Sequence, residues 1–515
     1  MLSDGAQAVS SVPTAQSAYK AYFSDRVFSY VAYGALFFYG GTILLLLLWV
    51  CSSHVPNFRG VETNVIFGID KILRNLPLYG DPAQAPFDIE QYTPLYYYVV
   101  TTVVRLLGFH SGDAYHITAT ARCISFLCLF GTLSFTFFLL RNFKLTSLQA
   151  LATCSFILIA TSPWLVLARP DGMLSLCLMA MTYLTVIAIQ SQSPAIGWRF
   201  TLAALCAVGA ITIKQNGVIG IVIIASFYAL WREWRYVATP LLLAVPMLLI
   251  SLNHEASGMI SLNIIDGIRN GVNVSLALEK AYVPFWSQMA TLVALFANAA
   301  VTYLNRSGHP GHKFLILSAI CHFIFATVMA LKDGAAIHYY NDFIVLASIV
   351  VAIDLKRVLP TRPLVDGGFS LLVVGAIYLS VFLTGWTANQ IHVYFLKKRG
   401  DYFETRMPVA EFLQQNLSHT PMTFFISTDP VLNLLLPSKG LLPQIELATS
   451  AYSQGQINYV ELARLLEQGK VRYLVLRAGE TPRTLLGTDL TIFKHHLDID
   501  KWSIYIYGPS VEMAR

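Results

Sequence analysis

Long apolar segments recur along most of the chain, and they restrict its fold more than any other feature. They have the length of membrane-spanning helices and lack the short alternating pattern of barrel strands. Only 12% of the residues are charged, whereas soluble domains carry roughly 25%. We therefore predict an α-helical polytopic membrane protein. Its spans, about eleven, are expected at residues 28–50, 116–140, 146–166, 172–191, 198–213, 217–231, 236–252, 285–304, 313–331, 338–355 and 368–386.

One further apolar segment, 95–108, decides the orientation of everything after it. It has only about 14 residues and contains Arg105, so it fits an interfacial or re-entrant helix better than a span. With this segment left outside, the short basic loops fall on one side of the membrane and most acidic loop residues fall on the other. The positive-inside rule then predicts a cytoplasmic N-terminus and an extracytoplasmic C-terminus.

Composition also divides the chain into three regions. Residues 1–27 are rich in Ser, Ala and Gln and are predicted to form a mobile cytoplasmic N-terminus. The transmembrane domain covers 28–389, with 51–115 as its first extracytoplasmic loop. Mixed helix and strand patterns follow, and they predict a small extracytoplasmic α/β domain at 390–515 with a structural or acceptor-docking role.

A surface helix is predicted at the start of the first outer loop, over residues 61–76. Its apolar residues share one face, and Lys71 and Arg74 lie on the other, as in a helix that lies in the membrane surface. Glu62 falls inside the apolar face. Its carboxylate therefore has to face a protein cavity, find a partner or be neutral. A first-turn glutamate favoured by the helix dipole is the alternative.

Ionisable residues recur at the extracytoplasmic ends of the predicted spans. Charges at this depth are costly and usually face a cavity. A carboxylate can take a proton from an attacking hydroxyl, while Arg and Lys can hold a departing phosphate, so both signs on one face favour such a reaction. The residues are Glu62, Asp81, Asp88, Glu90, Arg122, Arg169, Asp171, Lys214, His338 and Asp342.

Each of these residues also has a simpler structural interpretation. Arg169 and Asp171 would pair with each other at a helix junction, and Lys214 would extend its side chain to the interface. Asp81 and Asp88 lie in turns that contain Gly and Pro, where Asp is common for turn chemistry alone. His338 would be a hydrogen-bonded residue at a helix end. Their shared side of the membrane is what favours a site.

An ordered set of motifs resembles the GT-C superfamily, membrane glycosyltransferases that use polyprenyl-phosphate sugars. The superfamily includes the family 39 protein O-mannosyltransferases and the lipid A aminoarabinose transferases. An acidic residue, a surface helix, NLPLYGDP and YTPLYYY resemble its first outer loop, and TARCIS, LARPDGM, ITIKQNG and HYYNDF follow in order. The resemblance covers about residues 28–386. The C-terminal region resembles, more loosely, small domains appended to some members.

The resemblance implies an inverting enzyme that moves a sugar from a polyprenyl-phosphate donor to an acceptor, either lipid A or another glycolipid, a glycan or a protein. Glu62 matches the acidic general base, although many members have Asp-Glu where this chain has Val-Glu. Members with Lys-Pro-Pro before the second surface helix contact the donor phosphate there. This chain has Tyr92-Thr-Pro instead, so Arg122, Arg169 or Lys214 would bind that phosphate.

The same resemblance assigns the remaining candidates. Asp171 matches an acid of the second outer loop that orients the acceptor or a metal. The other predicted site-lining residues are Asp81, Tyr92, His338, Tyr339 and Asp342. A divalent metal ion could be held by Glu62, Asp171 and Asp342, but their spacing does not decide it, so no cofactor is assigned.

The expected location is the bacterial inner (plasma) membrane, with the active site on the periplasmic side and lipid as a partner. No nucleic-acid partner is expected, because the net charge of +6 is spread over loops. The alternative function is a transporter or flippase of lipid-linked sugars, which predicts two matching halves with interrupted helices and a midplane site. We find no such internal symmetry. A non-catalytic scaffold would leave Glu62 unexplained.

Overall fold

The chain folds into a bundle of apolar helices followed by a small sheet domain. The computed structural model describes residues 15–52, 61–161, 164–191, 197–230, 259–267, 271–304, 309–332, 335–358, 385, 406–418 and 422–508. The helices of the bundle are α1 (Ala15–Ser52), α2 (Val61–Leu73), α3 (Leu95–Leu106), α4 (Ala114–Asn142), α5 (Ser147–Thr161), α6 (Asp171–Gln190), α7 (Trp198–Ile213), α8 (Val218–Leu230), α9 (Val283–Leu304), α10 (Pro310–Met329) and α11 (Asn341–Val358).

Helices long and apolar enough to cross a membrane are present, so the chain is a multi-pass membrane protein. The described residues contain six, each matching a predicted span: Tyr33–Cys51, Ala114–Asn142, Asp171–Gln190, Val274–Tyr303, Pro310–Met329 and Ile337–Arg357. Three other predicted spans are shorter apolar helices, at Ser147–Thr161, Trp198–Ile213 and Gln215–Leu230. The segment predicted to be interfacial, 95–108, is the 12-residue helix α3. Predicted spans 236–252 and 368–386 lie outside the described residues, so the number eleven stays a prediction.

The first helix begins earlier than the span drawn from hydropathy. It starts at Ala15, inside the segment predicted to be mobile, whereas residues 1–14 lie outside the described part of the chain. The residues from Ala15 onward include Ala, Gln and Lys, which have high helix propensity. Hydropathy alone does not detect a helix of this composition.

A five-stranded sheet organises the C-terminal domain, confirming the predicted α/β class. Its elements are α12 (Met407–Leu417), β1 (Phe424–Ser427), α13 (Pro430–Leu435), β2 (Gly440–Leu441), α14 (Ile445–Ser453), α15 (Val460–Glu467), β3 (Val471–Arg477), β4 (Phe493–Ile499) and β5 (Trp502–Tyr507). The strand order is β2-β1-β3-β5-β4. The first three strands in this order are parallel, and β5 and β4 are antiparallel to their neighbours. The sequence predicts helices at 406–417 and 459–466, which match α12 and α15, and strands at 423–427, 472–476 and 504–507, which match β1, β3 and β5. No sequence pattern predicts α13, β2, α14 or β4.

The two faces of this sheet have separate apolar cores. One face packs against α12, and the core between them includes Leu413 of α12, Phe425 and Trp502. The other includes Ile426 and Leu474, and it is completed by Phe87 and Ile89 from the loop between α2 and α3. The C-terminal domain therefore shares a core with that loop.

Helix α2 does not lie on the surface as predicted. Every described side chain from Glu62 to Ile72 is buried, including Lys71 on the predicted polar face. Lys71 is covered because it forms an ion pair with Asp88 of the loop between α2 and α3, and because α13 of the C-terminal domain packs against the helix. The periodicity correctly predicts the helix, but it does not reveal that a second domain covers its polar side.

Candidate active site

Glu62, in the first turn of α2, and Arg122, in α4, form a closed ion pair. Arg122 Nε donates to Glu62 Oε1 at 2.9 Å, and Nη2 donates to Oε2 at 2.7 Å, which is a bidentate arrangement. The backbone N–H of Ala168 also donates to Oε1, at 2.7 Å. Both charged side chains are 0% exposed. The carboxylate predicted to need a cavity or a partner thus has a partner, in Arg122.

The segment between α5 and α6 is held close to α4, and this brings a second set of charges next to the first. Ser125 Oγ of α4 donates to the Arg169 carbonyl at 3.3 Å. A Cβ at Gly172 would lie 2.5 Å from the Leu165 carbonyl oxygen and 3.1 Å from the carbonyl oxygen of Ser125 in α4, so the close approach requires glycine. Arg169 follows directly after Ala168, whose N–H binds Glu62, and the two sets of charges are therefore adjacent.

The second set consists of Asp171, Arg169 and Lys214. Its polar atoms are less completely hydrogen-bonded than those of the Glu62–Arg122 pair. Lys214 Nζ donates to Asp171 Oδ1 at 2.8 Å, and Arg169 Nε lies 3.2 Å from Asp171 Oδ2. Arg169 Nη2 lies 3.2 Å from His338 Nε2. Within the described residues, Asp171 Oδ2, Arg169 Nε and His338 Nδ1 have no aligned hydrogen bond. One carboxylate therefore faces two cations, and polar atoms remain unsatisfied.

Aromatic rings surround these charges. The Lys214 ammonium lies 5.1 Å from the centre of the Tyr92 ring and 5.5 Å from the centre of the Tyr339 ring, both within cation–π range. The indole of Trp164 lies 5.5 Å from the His338 ring. The predicted site residues Tyr92, His338 and Tyr339 are thus brought together with Asp171, Arg169 and Lys214.

Lys332 adds a third cation that sequence reasoning did not select. Burial, and then the neighbouring positive charge of Lys214, lower the pKa of Lys332 to about 8. Lys332 is therefore still mainly protonated at neutral pH. Its backbone pairs with Val272 in an isolated bridge, which connects the segment before α9 to the site. The only signal in the sequence is its position shortly before the HYYNDF motif. We call Arg169, Lys214 and Lys332 the cation cluster.

Three other predicted site residues form their described hydrogen bonds with residues outside the cation cluster. Arg122, predicted to bind the donor phosphate, is committed to Glu62 and also donates to the Val50 carbonyl at 3.3 Å. Asp342 accepts a hydrogen bond of 2.6 Å from Ser175 of α6. Asp81 accepts from the Ala83 N–H at 2.9 Å within a local turn. For Asp81, the contacts agree with the simpler interpretation, turn chemistry.

The acidic residues in the described part of the chain do not converge in a way that fits a divalent metal. Among the residues that the structure describes, no three His, Cys, Asp or Glu side chains form a group. Glu62 and Asp171 are each bonded to cationic side chains, which would have to move before a metal ion could take their place.

Glu90 is a buried carboxyl of a different kind. Neither of its side-chain oxygens has an aligned hydrogen-bond partner in the described part of the chain, although the Tyr97 hydroxyl is close by. Burial raises the pKa of Glu90 to about 8, despite the opposing effect of Lys71. The side chain lies so close to α2 that a Cβ at Gly68 would be 2.8 Å from Glu90 Oε2. Glu90 is therefore mainly neutral at pH 7.

Comparison with known proteins rests on structure. No protein-family model matches the chain, and no curated protein matches it by sequence. The structure is similar to ArnT from Cupriavidus metallidurans bound to undecaprenyl phosphate, with a TM-score of 0.57 and 13% identity over 93% of this chain and 99% of that one. ArnT from the same organism in the apo state has a TM-score of 0.58, with 14% identity over 93% and 100% of the two chains.

A second similar fold is that of the Archaeoglobus fulgidus oligosaccharyltransferase in the apo form. Its TM-score is 0.57, with 11% identity over 87% of this chain and 70% of that one. Both proteins are GT-C glycosyltransferases, so the resemblance inferred from the ordered motifs is confirmed at the level of the fold. The chain therefore shares the fold of these proteins over most of its length.

Proposed function

We propose that this protein is an inverting glycosyltransferase that uses a polyprenyl-phosphate sugar as donor. The acceptor would be lipid A or another glycolipid, a glycan or a protein, on the periplasmic side of the bacterial inner membrane. The fold supports a glycosyltransferase, because the similar solved structures belong to that class. The complex of ArnT with undecaprenyl phosphate supports a lipid-linked donor for this chain as well.

The observation that carries the proposal is the excess of positive charge around Asp171. Among the described residues, Arg169 and Lys214 both pair with the single carboxylate of Asp171, and Lys332 lies near enough to Lys214 to interact with it electrostatically. Buried charges are expected to be balanced, so such a cluster suits an anionic ligand. A phosphate meets this requirement, because Arg and Lys both bind its oxygens.

In the reaction that we propose, the hydroxyl oxygen of the acceptor attacks the anomeric carbon of the donor sugar. The bond from that carbon to the phosphate oxygen breaks, and the polyprenyl phosphate leaves with the bonding electrons. A single displacement inverts the anomeric configuration. The cation cluster would stabilise the negative charge that develops on the leaving phosphate, and the rings of Tyr92 and Tyr339 would hold Lys214 in place.

The proton of the acceptor hydroxyl needs a carboxylate, and the two predicted candidates differ in access. The Glu62 side chain is 0% exposed, and three hydrogen bonds from Arg122 and Ala168 occupy its carboxylate. The Asp171 side chain is 11% exposed and lies at the cation cluster. We therefore propose Asp171 as the proton acceptor. Glu62 remains the alternative base, provided that its pair with Arg122 opens during the reaction.

Transfer assays with radiolabelled polyprenyl-phosphate sugars test this function. Purified protein would be incubated with the labelled donor and a crude envelope fraction, and label would be followed into lipid, glycan and protein fractions. We expect transfer by the wild type and much slower transfer by Lys214→Ala. If the labelled lipid crosses the membrane of proteoliposomes unchanged while no acceptor gains label, the transporter alternative would replace this proposal.

A further inference from the structure

The segment from Pro86 to Thr93, here called the strap, connects the C-terminal domain to the cation cluster. At its first end, the Leu442 N–H donates to the Pro86 carbonyl at 3.0 Å. The Ile89 N–H donates to Gln444 Oε1 at 2.9 Å. The strap thus has two backbone hydrogen bonds to the domain, in addition to the apolar core that Phe87 and Ile89 share with it.

The side chains of the strap point to two sides. Asp88 and Glu90 face α2, where they meet Lys71 and Gly68, whereas Ile89 between them enters the core of the C-terminal domain. Phe87 enters the same core, and its ring lies 5.8 Å from that of Tyr459, edge to face. Its φ of 61° is one that bulky L residues rarely adopt. The backbone here is therefore bent to seat Phe87 in the domain.

At its second end, the strap is fixed to the elements that carry the cation cluster. Gln215, the neighbour of Lys214, donates from Nε2 to the Gln91 carbonyl at 3.0 Å. Thr93 Oγ1 donates to the Ile211 carbonyl of α7 at 2.7 Å. Between Gln91 and Thr93, the ring of Tyr92 lies against the Lys214 ammonium. Its position relative to Lys214 is thus set on both sides by the backbone of the strap.

We propose that the C-terminal domain positions the phosphate-binding end of the site through the strap, with Gln444 as the positioning residue. In the described hydrogen bonds Gln444 fixes Ile89, which is three residues from Tyr92, and it would therefore act on the cation cluster through the strap. This inference deepens the proposed function and rests on it. It assigns the domain a role in donor binding, in contrast to the structural or acceptor-docking role expected from the sequence.

Binding of undecaprenyl phosphate, without a sugar, to the full-length protein in nanodiscs tests the proposal. Gln444→Ala removes the acceptor for the Ile89 N–H, and we expect binding to weaken about three- to tenfold, the effect of one lost hydrogen bond. Gln444→Glu keeps an oxygen at that place and should restore most of the affinity. In transfer assays, Gln444→Ala should raise the donor KM more than it lowers kcat.

A matched control separates positioning from general damage to the domain. Leu413 lies in the core on the opposite face of the same sheet, away from the strap. Leu413→Ala should destabilise the domain but leave the affinity of the folded protein for undecaprenyl phosphate near that of the wild type. Equal weakening by Leu413→Ala and Gln444→Ala would overturn the proposal, because any loss of domain stability would then explain the result.

A double-mutant cycle with Tyr92→Leu provides a result that a purely structural role of Gln444 would not give. If Gln444 acts through the Tyr92 ring, Gln444→Ala should have little further effect on lipid binding in a Tyr92→Leu background. Additive losses would contradict the proposed path. The outcome is also distinct from failure of the proposed function, which would appear as no binding of the lipid by the wild type.

Discussion

Two groups of buried charges lie side by side in this protein, and they differ in how their charges balance. Glu62 and Arg122 neutralise each other one to one, in bidentate hydrogen bonds. Asp171 instead faces Arg169 and Lys214, with Lys332 close by. A balanced pair has its charges satisfied within the protein, whereas an unbalanced group suits a ligand of opposite charge. The contrast distinguishes a structural role from a binding role.

Exchanging each carboxylate for its amide tests this contrast most strongly. Asp171→Asn cannot accept a proton, and we expect turnover to fall about 10²- to 10⁴-fold, the contribution of a positioned base. Glu62→Gln should mainly lower the unfolding temperature. Its turnover per folded molecule should fall less than that of Asp171→Asn. Initial rates at saturating donor, normalised to the monodisperse fraction, measure the difference. Normal turnover by Asp171→Asn together with an inactive, well-folded Glu62→Gln would return the base role to Glu62.

Removing Arg122 should have the largest effect on stability. Arg122→Ala leaves the Glu62 carboxylate buried without its cation, and we expect a loss of about 3–5 kcal/mol in the free energy of unfolding. The double variant Glu62→Leu/Arg122→Met removes both charges and should regain most of that loss. Thermal unfolding in detergent measures both variants. An unchanged unfolding temperature for Arg122→Ala would mean that the pair is not structural.

Glu90 sharpens the comparison, because it is a buried carboxyl that lacks an ion pair among the described residues. The folded protein retains its proton up to about pH 8, whereas the ordinary pKa of this carboxyl is 4.5. Stability should therefore fall as the pH rises through this window and level off above it. Lys71, Asp88 and Tyr97 are the charged or titratable groups around it.

Glu90→Gln cannot ionise, so this variant should lose that part of the pH dependence. At neutral pH it should be more stable than the wild type by roughly a few kcal/mol, at about 1.4 kcal/mol for each unit of pKa difference. Unfolding temperatures recorded across the window measure the effect. Parallel curves for Glu90→Gln and the wild type would show that Glu90 is not protonated in the folded protein.

Lys214→Ala probes the unbalanced group with a smaller effect. It removes one charged donor to the phosphate, and we expect binding of undecaprenyl phosphate to weaken by about 1.5–3 kcal/mol. The donor KM should rise, and the acceptor KM should change less. Lys214→Arg, which keeps the charge, is the control. A larger change in the acceptor KM would place Lys214 at the acceptor rather than the phosphate.

Asp81→Ala should have the smallest effect, because Asp81 bonds only within its own turn in the described contacts. We expect a change within about 0.5 kcal/mol in stability, as for surface substitutions away from special features, and normal transfer. Asp171→Asn serves as the positive control in the same assay. A strong loss of transfer would show that Asp81 belongs to the site after all, as the sequence analysis expected.

Sequence patterns predict the helices better than they predict the contacts between the helices. The angle of Glu62 within an apolar face correctly indicates a buried carboxylate in need of a partner, but its partner is 60 residues away, in another helix. The family resemblance groups Arg122 with Arg169 and Lys214 as candidate phosphate ligands, and only the folded chain reveals that Arg122 donates hydrogen bonds to Glu62 and the Val50 carbonyl. Lys332 escaped selection because only the folded chain brings it near Lys214. Periodicity reports which residues share a face, and it carries no information on which faces meet.

Asp88, Ile89 and Glu90 alternate between α2 and the core of the C-terminal domain, and this alternation fixes the register of the loop between α2 and α3. A shift of this stretch by one residue relative to α2 and the C-terminal domain would exchange the two sides. A carboxylate would then enter the apolar core of the C-terminal domain, and an isoleucine would be left opposite the Lys71 ammonium. A shift of two residues would keep each side chain on its side, because the three residues alternate between the two surroundings.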